Sequence, residues 1–375
     1  MTIEQPVNQK NIKINNIIRI CEYIFANGPV SRGELASACD LSLMTAGKIA
    51  DLLKKNRIVS EKKEEESLVG RKAGFLSTAE KRRILVLDLS KTDFEMRSMR
   101  VDGHCMEGKS FLFKKGLSYQ ENLKQALFRF AEEYSPLLEE CIGLGVLAPG
   151  PYDSEKDIVI NKRFPELMEL PVVKTIESYF PNIPITIDED VKFAARYAVS
   201  QVQDYSRKTV FYAYIGDGAG GAVVSHGSVP QTAFSYASDF GQLTLANGMT
   251  AESFISFETL RKLFPDYDFS KGEDYGSILT KEPNFQSFSQ RAMEVLVWCF
   301  QSVMWLIDPD EILIDSDHLS KIPGFLTELS EQFSHAAKKS RGERIPKLTV
   351  LDISENAKFY GACNEVRRAF LRTIA

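Results

Sequence analysis

Apolar side chains at Ile14, Ile17, Ile18, Cys21, Ile24 and Phe25 recur at spacings of three and four, and predict one amphipathic helix. Asn27-Gly28-Pro29 ends it: Gly28 is expected to supply a left-handed cap, and Pro29 cannot continue the helix. Ser31-Arg32-Gly33-Glu34 reads as a capping box that opens a short helix carrying Leu35 and Ala36. A break at Cys39-Asp40-Leu41 precedes Ser42, the expected cap of a helix reaching Lys55 with Ile49, Leu52 and Leu53 inward. Two helices joined by so tight a turn fit a helix-turn-helix. Such a unit places the start of its second helix in the major groove. Ser42, Met44, Thr45, Ala46 and Lys48 are therefore the expected DNA-facing residues. Gly47 weakens that helix by about 1 kcal/mol relative to alanine, which close backbone approach to DNA would offset. The same pattern also suits a three-helix protein-interaction module.

Ile58-Val59-Ser60 and the run from Leu68 to Leu76 predict two short strands around a polar tip, a wing. Gly70-Arg71-Lys72 sits on it. A flexible glycine before two cations suits Arg71 and Lys72 to an electronegative minor groove, or else to a solvated basic linker. Glu64-Glu65-Glu66 keep the tip itself off phosphate.

Beyond Lys81-Arg82-Arg83, Ile84–Leu89 is a buried-strand pattern followed by a hairpin with Asp102-Gly103 at its turn. Tyr119–Glu133 reads as a helix, Ile142–Leu147 as a strand, and Ile185–Asp188 as a strand entering a helix at Asp190. The order then partly recurs. Thr209–Ile215 and Ala222–Ser225 flank a glycine-rich turn, a long helix spans about Phe285–Ile307, and a strand follows at Glu311–Ile314. A strand near Thr349 and a helix from about Asn356 close the chain. Two related α/β lobes are expected.

Composition fits this picture: 375 residues, 44% hydrophobic and 26% charged, allow two or three ordinary globular domains. No apolar run approaches the roughly 18 residues of a membrane span. The first residues lack a signal-peptide pattern, so the cytoplasm is the expected compartment. The six cysteines form no C-x-x-C pair and read as buried thiols. Charge adds direction. The first 83 residues carry 15 basic and 10 acidic side chains, and the rest 31 and 41. A basic head on an acidic body points the head at a polyanion.

Six motifs in order carry a family resemblance. They are the helix-turn-helix with its Gly-Arg-Lys wing, the strand ending at Asp88, Gly143-Leu144-Gly145-Val146-Leu147-Ala148-Pro149-Gly150, the Asp190 segment, the Gly216 loop, and Ala237-Ser238-Asp239-Phe240-Gly241-Gln242. From about residue 12 onward the chain resembles the ROK family of repressors, open reading frames and sugar kinases, in its N-acetylglucosamine- and xylose-repressor branch. The resemblance implies an α/β fold: a winged helix-turn-helix (1–80) before an actin-like, duplicated ribonuclease-H-like ROK domain. Lobe 1 would span 81–195, completed by the helix 356–375, and lobe 2 would span 196–355.

Departures from the family pattern imply lost catalysis. ROK kinases carry D-x-G-G-T, where this chain has Asp88-Leu89-Ser90-Lys91-Thr92. Side chains replace the glycines that let backbone approach phosphate. In the second phosphate loop, Gly216-Asp217-Gly218-Ala219-Gly220-Gly221-Ala222, Asp217 stands for threonine and should repel phosphate. Asp315-Ser316 replaces the adenosine-side Gly-Gly. The family's catalytic Asp survives as Asp190, either accepting from a sugar or merely capping its helix. Gln242 stands for a zinc-binding His, and Asn247–Glu252 runs where the zinc cysteines belong, so no metal is expected. His104, His226, His318 and His335 are expected on surface turns or helices.

The resemblance nominates Gly150, Asn161, Glu189, Asp190, Asp239 and Gln242 as sugar ligands. The resulting expectation is a non-enzymatic, cofactor-free regulator, a repressor of carbohydrate metabolism. Its partners would be a double-stranded operator and a sugar effector, and it would act as a homodimer or dimer of dimers. A ROK kinase with an N-terminal extension, and a ligand-independent regulator answering to a partner protein, stay open.

Overall fold

The structure is a computed structural model that describes residues 9–63, 74–90, 93–202, 205, 207–230, 232, 238–269, 275–351 and 356–375. It divides into two compact units, residues 1–190 with 359–375, and residues 191–358.

The first unit begins with three helices, α1 (Gln9–Asn27), α2 (Arg32–Ala38) and α3 (Leu43–Lys55), and strands β1 (Val30–Ser31), β2 (Val59–Lys63) and β3 (Gly74–Thr78). The strands form an antiparallel sheet in the order β1-β3-β2. This is the element order of a winged helix-turn-helix. α1 buries Ile17, Ile20, Cys21 and Ile24, one turn-by-turn stripe as its spacing predicts. Ser31 and Glu34 form the expected capping box, and the Ser42 hydroxyl accepts from the Thr45 amide. Gly28 is a correction: it is not among the residues with positive φ. Close packing explains it instead, since a Cβ there would lie 2.7 Å from the Ile24 carbonyl oxygen and 3.3 Å from that of Leu76.

Next come β4 (Arg83–Asp88), β5 (Asp93–Arg100), β6 (Cys105–Leu112), α4 (Tyr119–Tyr134), β7 (Cys141–Ala148), the small hairpin β8 (Tyr152–Asp153) and β9 (Ile158–Val159), α5 (Val172–Glu177) and β10 (Ile185–Glu189). The sheet order is β10-β7-β4-β5-β6, with β4 parallel to β7 and β7 to β10 while β4, β5 and β6 run antiparallel. Leu85, Leu87, Phe94, Met96, Leu144 and Val146 pack with α4 through Leu123, Leu127 and Phe130. The opposite face receives the C-terminal helix. A Cβ on Gly143 would meet Val366 at 2.7 Å, and one on Gly145 would meet Ala362 at 3.1 Å. The two glycines therefore let that helix lie close to the strand.

Helix α6 (Asp190–Ser200) leads to β11 (Thr209–Ile215), β12 (Ala219–Ser225), α7 (Glu252–Ile255), α8 (Phe257–Leu263), α9 (Tyr275–Leu279), α10 (Pro283–Ile307), β13 (Glu311–Asp315), α11 (Asp317–Ser320), α12 (Phe325–Arg341) and β14 (Lys347–Val350), before α13 (Ala357–Ile374) closes the chain. The second sheet has the order β12-β11-β13-β14, with only β12 antiparallel to its neighbour. β11, β12, β13 and β14 thus repeat the connectivity of β4, β5, β7 and β10. β6 has no counterpart among the described residues. Alternation sorts the core: Phe211, Ala213, Ile215, Ile312 and Ile314 pack with α10 and α12, and Val210, Tyr212 and Leu313 with α6.

No helix among the described residues is long and apolar enough to cross a membrane. All six cysteines are unpaired, five of them buried and Cys105 half-buried. Burial pushes the Cys21, Cys299 and Cys363 thiols up to about 12, where they are inert at neutral pH.

Candidate DNA-binding helix and ligand site

Helix α3 buries Ala46, Ile49, Ala50 and Leu53, and turns Ser42, Leu43, Met44 and Lys48 to solvent. Ala46 is a correction. It is fully buried, because it lies three, four and seven residues before Ile49, Ala50 and Leu53 on the inward stripe. Thr45 is half-buried, with its hydroxyl 2.9 Å from that of Ser42. Leu43 escaped the sequence reading. By spacing it continues the stripe, yet it is 62% exposed, and Met44 beside it is 70% exposed. Gly70, Arg71 and Lys72 lie outside the described residues.

Several cations in the head are already engaged. Arg32 reaches Asp51 at 2.6 Å and Glu61 at 3.3 Å, and Lys54 reaches Glu61 at 2.5 Å. The hydrogen bond from Arg32 lowers the Asp51 pKa, and that from Lys54 lowers the Glu61 pKa. This network ties α2, α3 and β2 together. Arg57 pairs with Glu140 at 2.7 Å, outside the head.

In the body of the first unit, three expected ligand residues converge after β7. Gly150 has φ +41°, and a Cβ there would lie 2.8–2.9 Å from the Glu189 side chain. Only glycine satisfies both conditions without strain. Glu189 is buried and accepts from the Tyr152 amide at 3.4 Å. Asn161 donates from one nitrogen to the Pro149 and Gly150 carbonyls at 2.6 and 2.8 Å, and its oxygen accepts from the Arg163 amide at 2.9 Å. The Asn161 side chain therefore holds the loop. Asp190 begins α6, directly after buried Glu189. Tyr152 was missed because its contribution is a backbone amide.

The first phosphate turn is closed on itself. Buried Asp88 accepts at one oxygen from the Ser90 amide at 2.8 Å and the Ser90 hydroxyl at 2.6 Å, and the Leu89 amide donates to Leu147. Neither amide is turned outward to a phosphate. Lys91 and Thr92 lie outside the described residues.

In the second unit the glycine loop joins β11 to β12. The Gly216 amide donates to the Gly218 carbonyl, and the Ala219 amide to the Glu252 carboxylate, both at 2.8 Å. Asp217 pairs with Arg261 at 2.7 Å. The pair offsets its charge, so Asp217 does not stand as the bare repulsive group its sequence position suggested. The loop's glycines also have steric reasons of their own. A Cβ on Gly221 would meet Phe211 and the Ser238 carbonyl oxygen, each at 2.6 Å. Retained glycines here do not by themselves report a nucleotide. Glu252 and Arg261, far along the chain, carried no local signal.

Asp239 precedes and Gln242 ends a short 3-10 helix, Phe240–Gln242, with Asp239 half-buried and Gln242 exposed. Gly241 anchors this turn against Ala219. Ser316 is buried, donates to the Ile215 carbonyl at 2.6 Å and caps α11, while the Tyr212 hydroxyl donates to Asp315. His318 corrects the surface expectation. It is buried, with Nε2 2.9 Å from the Ile255 carbonyl oxygen. His104, His226 and His335 are exposed. Among the described residues, no group of three or more His, Cys, Asp or Glu could hold a metal ion.

A family model described as ROK family matches residues 87–261. The chain carries a ROK family domain. A xylose repressor of Staphylococcus xylosus is 23% identical over 348 residues, covering 87% of this chain and 88% of the repressor. Among solved structures, a ROK family transcriptional regulator described as a homolog of the E. coli MLC protein superposes with a TM-score of 0.73 at 18% identity. It covers 97% of this chain and 98% of its own. A ROK glucokinase from Streptomyces griseus, solved with glucose and AMPPNP, gives a TM-score of 0.60 at 12% identity. It covers 76% of this chain and 98% of its own. These structures place the body of the ROK domain in the actin-like sugar-kinase fold.

Proposed function

We propose that this chain is a sugar-responsive transcriptional repressor that grips operator DNA with its head and senses a sugar without phosphorylating it. The carrying observation is one of coverage. The glucokinase finds its whole length within about three quarters of this chain, whereas the solved regulator spans nearly all of it. What the kinase lacks is accounted for by a segment the size of the head, residues 1–80. The similarity to the xylose repressor, which also runs through most of both chains, supports carbohydrate metabolism as the setting.

In this reading Ser42, Met44, Thr45 and Lys48 meet the major groove while Arg71 and Lys72 reach the flanking minor groove. Two heads of a homodimer, or of a dimer of dimers, need half-sites about one helical turn or a multiple apart. In the first unit Glu189 and Asp190 present acceptors to sugar hydroxyls, with Gly150 letting the loop approach and Asn161 positioning that loop; in the second unit Asp239 and Gln242 offer an acceptor and an amide. The sugar lowers operator affinity only if it binds the free and DNA-bound forms unequally. Helix α13 is the connecting element. Arg367 donates to the Val101 carbonyl at 2.8 Å and stacks over Phe25 of α1, and Arg368 pairs with Glu22 of α1 at 3.2 Å. The helix thus ties the head to the rest of the first unit.

Gel-shift on the DNA upstream of the chain's own coding region, with a panel of sugars, tests this directly. We expect a retarded complex that one sugar class dissolves. Lys48→Ala should weaken it and lower the slope of log affinity against log salt by about one. No complex at low salt would refute the reading. Calorimetry with magnesium-ATP at millimolar concentration should give no binding isotherm, because the Leu89 and Ser90 amides are already engaged within the protein. A clear isotherm would restore the kinase reading.

A further inference from the structure

We propose that Leu43 and Met44 read the 5-methyl groups of thymines in the operator, and so fix where its half-sites carry A·T pairs. The inference rests on α3 being the recognition helix. Both side chains lie at the very start of that helix, 62% and 70% exposed, where a helix-turn-helix meets base edges. Single exposed apolar residues are ordinary; two adjacent ones at the insertion point of a basic head are a contact surface. The first turn of α3 carries no acidic side chain, so nothing there repels phosphate, and Lys48 stands exposed one turn on. Hydroxyl contacts are scarce in that turn, because the Ser42 oxygen accepts from the Thr45 amide at 3.2 Å and lies 2.9 Å from the Thr45 hydroxyl. The partner that suits the outward side chains is therefore apolar. Within the major groove, the thymine methyl is the apolar group that a base pair displays. Burying it against leucine or methionine removes both surfaces from water.

The test uses the full-length protein. Duplexes are enriched from a randomised pool, and the enriched sequence is resynthesised with deoxyuridine replacing thymidine at each position in turn. Uracil keeps every hydrogen-bonding group and deletes only the methyl. We expect about a fourfold loss of affinity per contacted methyl, confined to one or two positions in each half-site. Leu43→Ala and Met44→Ala should each bring the thymine-to-uracil ratio at their own position close to one. Neither should change the slope of log affinity against log salt, because no phosphate contact is lost. Circular dichroism of both variants should match the parent. A ratio of one at every position overturns the inference, as does a ratio that survives both substitutions. Unchanged DNA affinity with lost self-association in sedimentation would instead assign the pair to a second copy of this chain. Failure to enrich any duplex would refute the DNA-binding reading itself, and the inference with it.

Discussion

Gly241→Ala is expected to cost at least about 3 kcal/mol of stability, the upper end of the usual overpacking penalty. For a unit of this size that is a fall of roughly 10 °C in melting temperature. A Cβ on Gly241 would sit 2.1 Å from the Ala219 carbonyl oxygen and 2.8 Å from its carbon. Both are backbone atoms at the start of β12, so no side chain can swing aside. Either the 3-10 turn or the strand must move, and the turn carries Asp239 and Gln242. Variant protein that still folds should bind DNA and no longer respond to the sugar. Gly220→Ala is the control. A Cβ there meets nothing within 4 Å, so the change should lie within about 0.5 kcal/mol. Thermal unfolding of the full-length protein followed by circular dichroism reads both. Equal melting temperatures for the two variants would mean that the turn is not packed on Ala219.

Local chemistry in this chain was legible where it is decided locally. The Ser31–Glu34 box, the Ser42 cap, the break before it and the stripe through α1 all depend on residues within one or two turns of each other. The spacing of Ile49, Ala50 and Leu53 already implies a buried Ala46, whereas Gly28 depends in part on packing that spacing does not resolve. Ala46 sits at a helix start where groove-facing and core-facing positions are one residue apart. Gly28 does follow the helix end, but what requires it is the Ile24 carbonyl in the helix's own last turn together with that of Leu76, a neighbour brought in by β3. The head's charge was legible as a sum and not as a surface, because Arg32, Lys54 and Arg57 form ion pairs within the first unit. The ligand site divides in the same way. Gly150 and Glu189 were found through motifs and meet in space. Asn161 was found as a ligand, yet its amide is committed to the loop it stabilises. The Asp217–Arg261 pair joins residues 44 apart in the chain, so the sequence displayed the carboxylate without its counterion.

The second large effect concerns acid. Burial holds the His318 imidazole neutral and lowers its pKa from 6.5 to about 4; hydrogen bonds to the Ile255 and Ile215 carbonyls and the nearby Asp217 oppose that shift, and Arg261 assists it. In the unfolded chain the same ring returns to its ordinary value. Between pH 6.5 and 4 the unfolded state therefore binds the extra proton, and stability must fall as pH falls. The contribution is fully present at pH 7, is lost progressively through that window, and changes no further below about pH 4. A shift from 6.5 to about 4 corresponds to roughly 3 kcal/mol. His318→Gln keeps an N–H for the Ile255 carbonyl and removes the titration. We expect the denaturant midpoint of the parent to drop more steeply than that of His318→Gln between pH 6.5 and 4, and the two to run parallel above pH 7. Parallel curves across the whole range would show that the imidazole is not shielded. His318 lies between the end of α7 and the Ser316 cap, with its ring beside that of Phe257 and its backbone carbonyl accepting from the Tyr275 hydroxyl. Its protonation would loosen the segment that positions Glu252 against the glycine loop. Acid should then disturb the second unit's loop before it disturbs the head, whose carboxylates Asp51 and Glu61 have their pKa values lowered by Arg32 and Lys54 and stay charged further into acid.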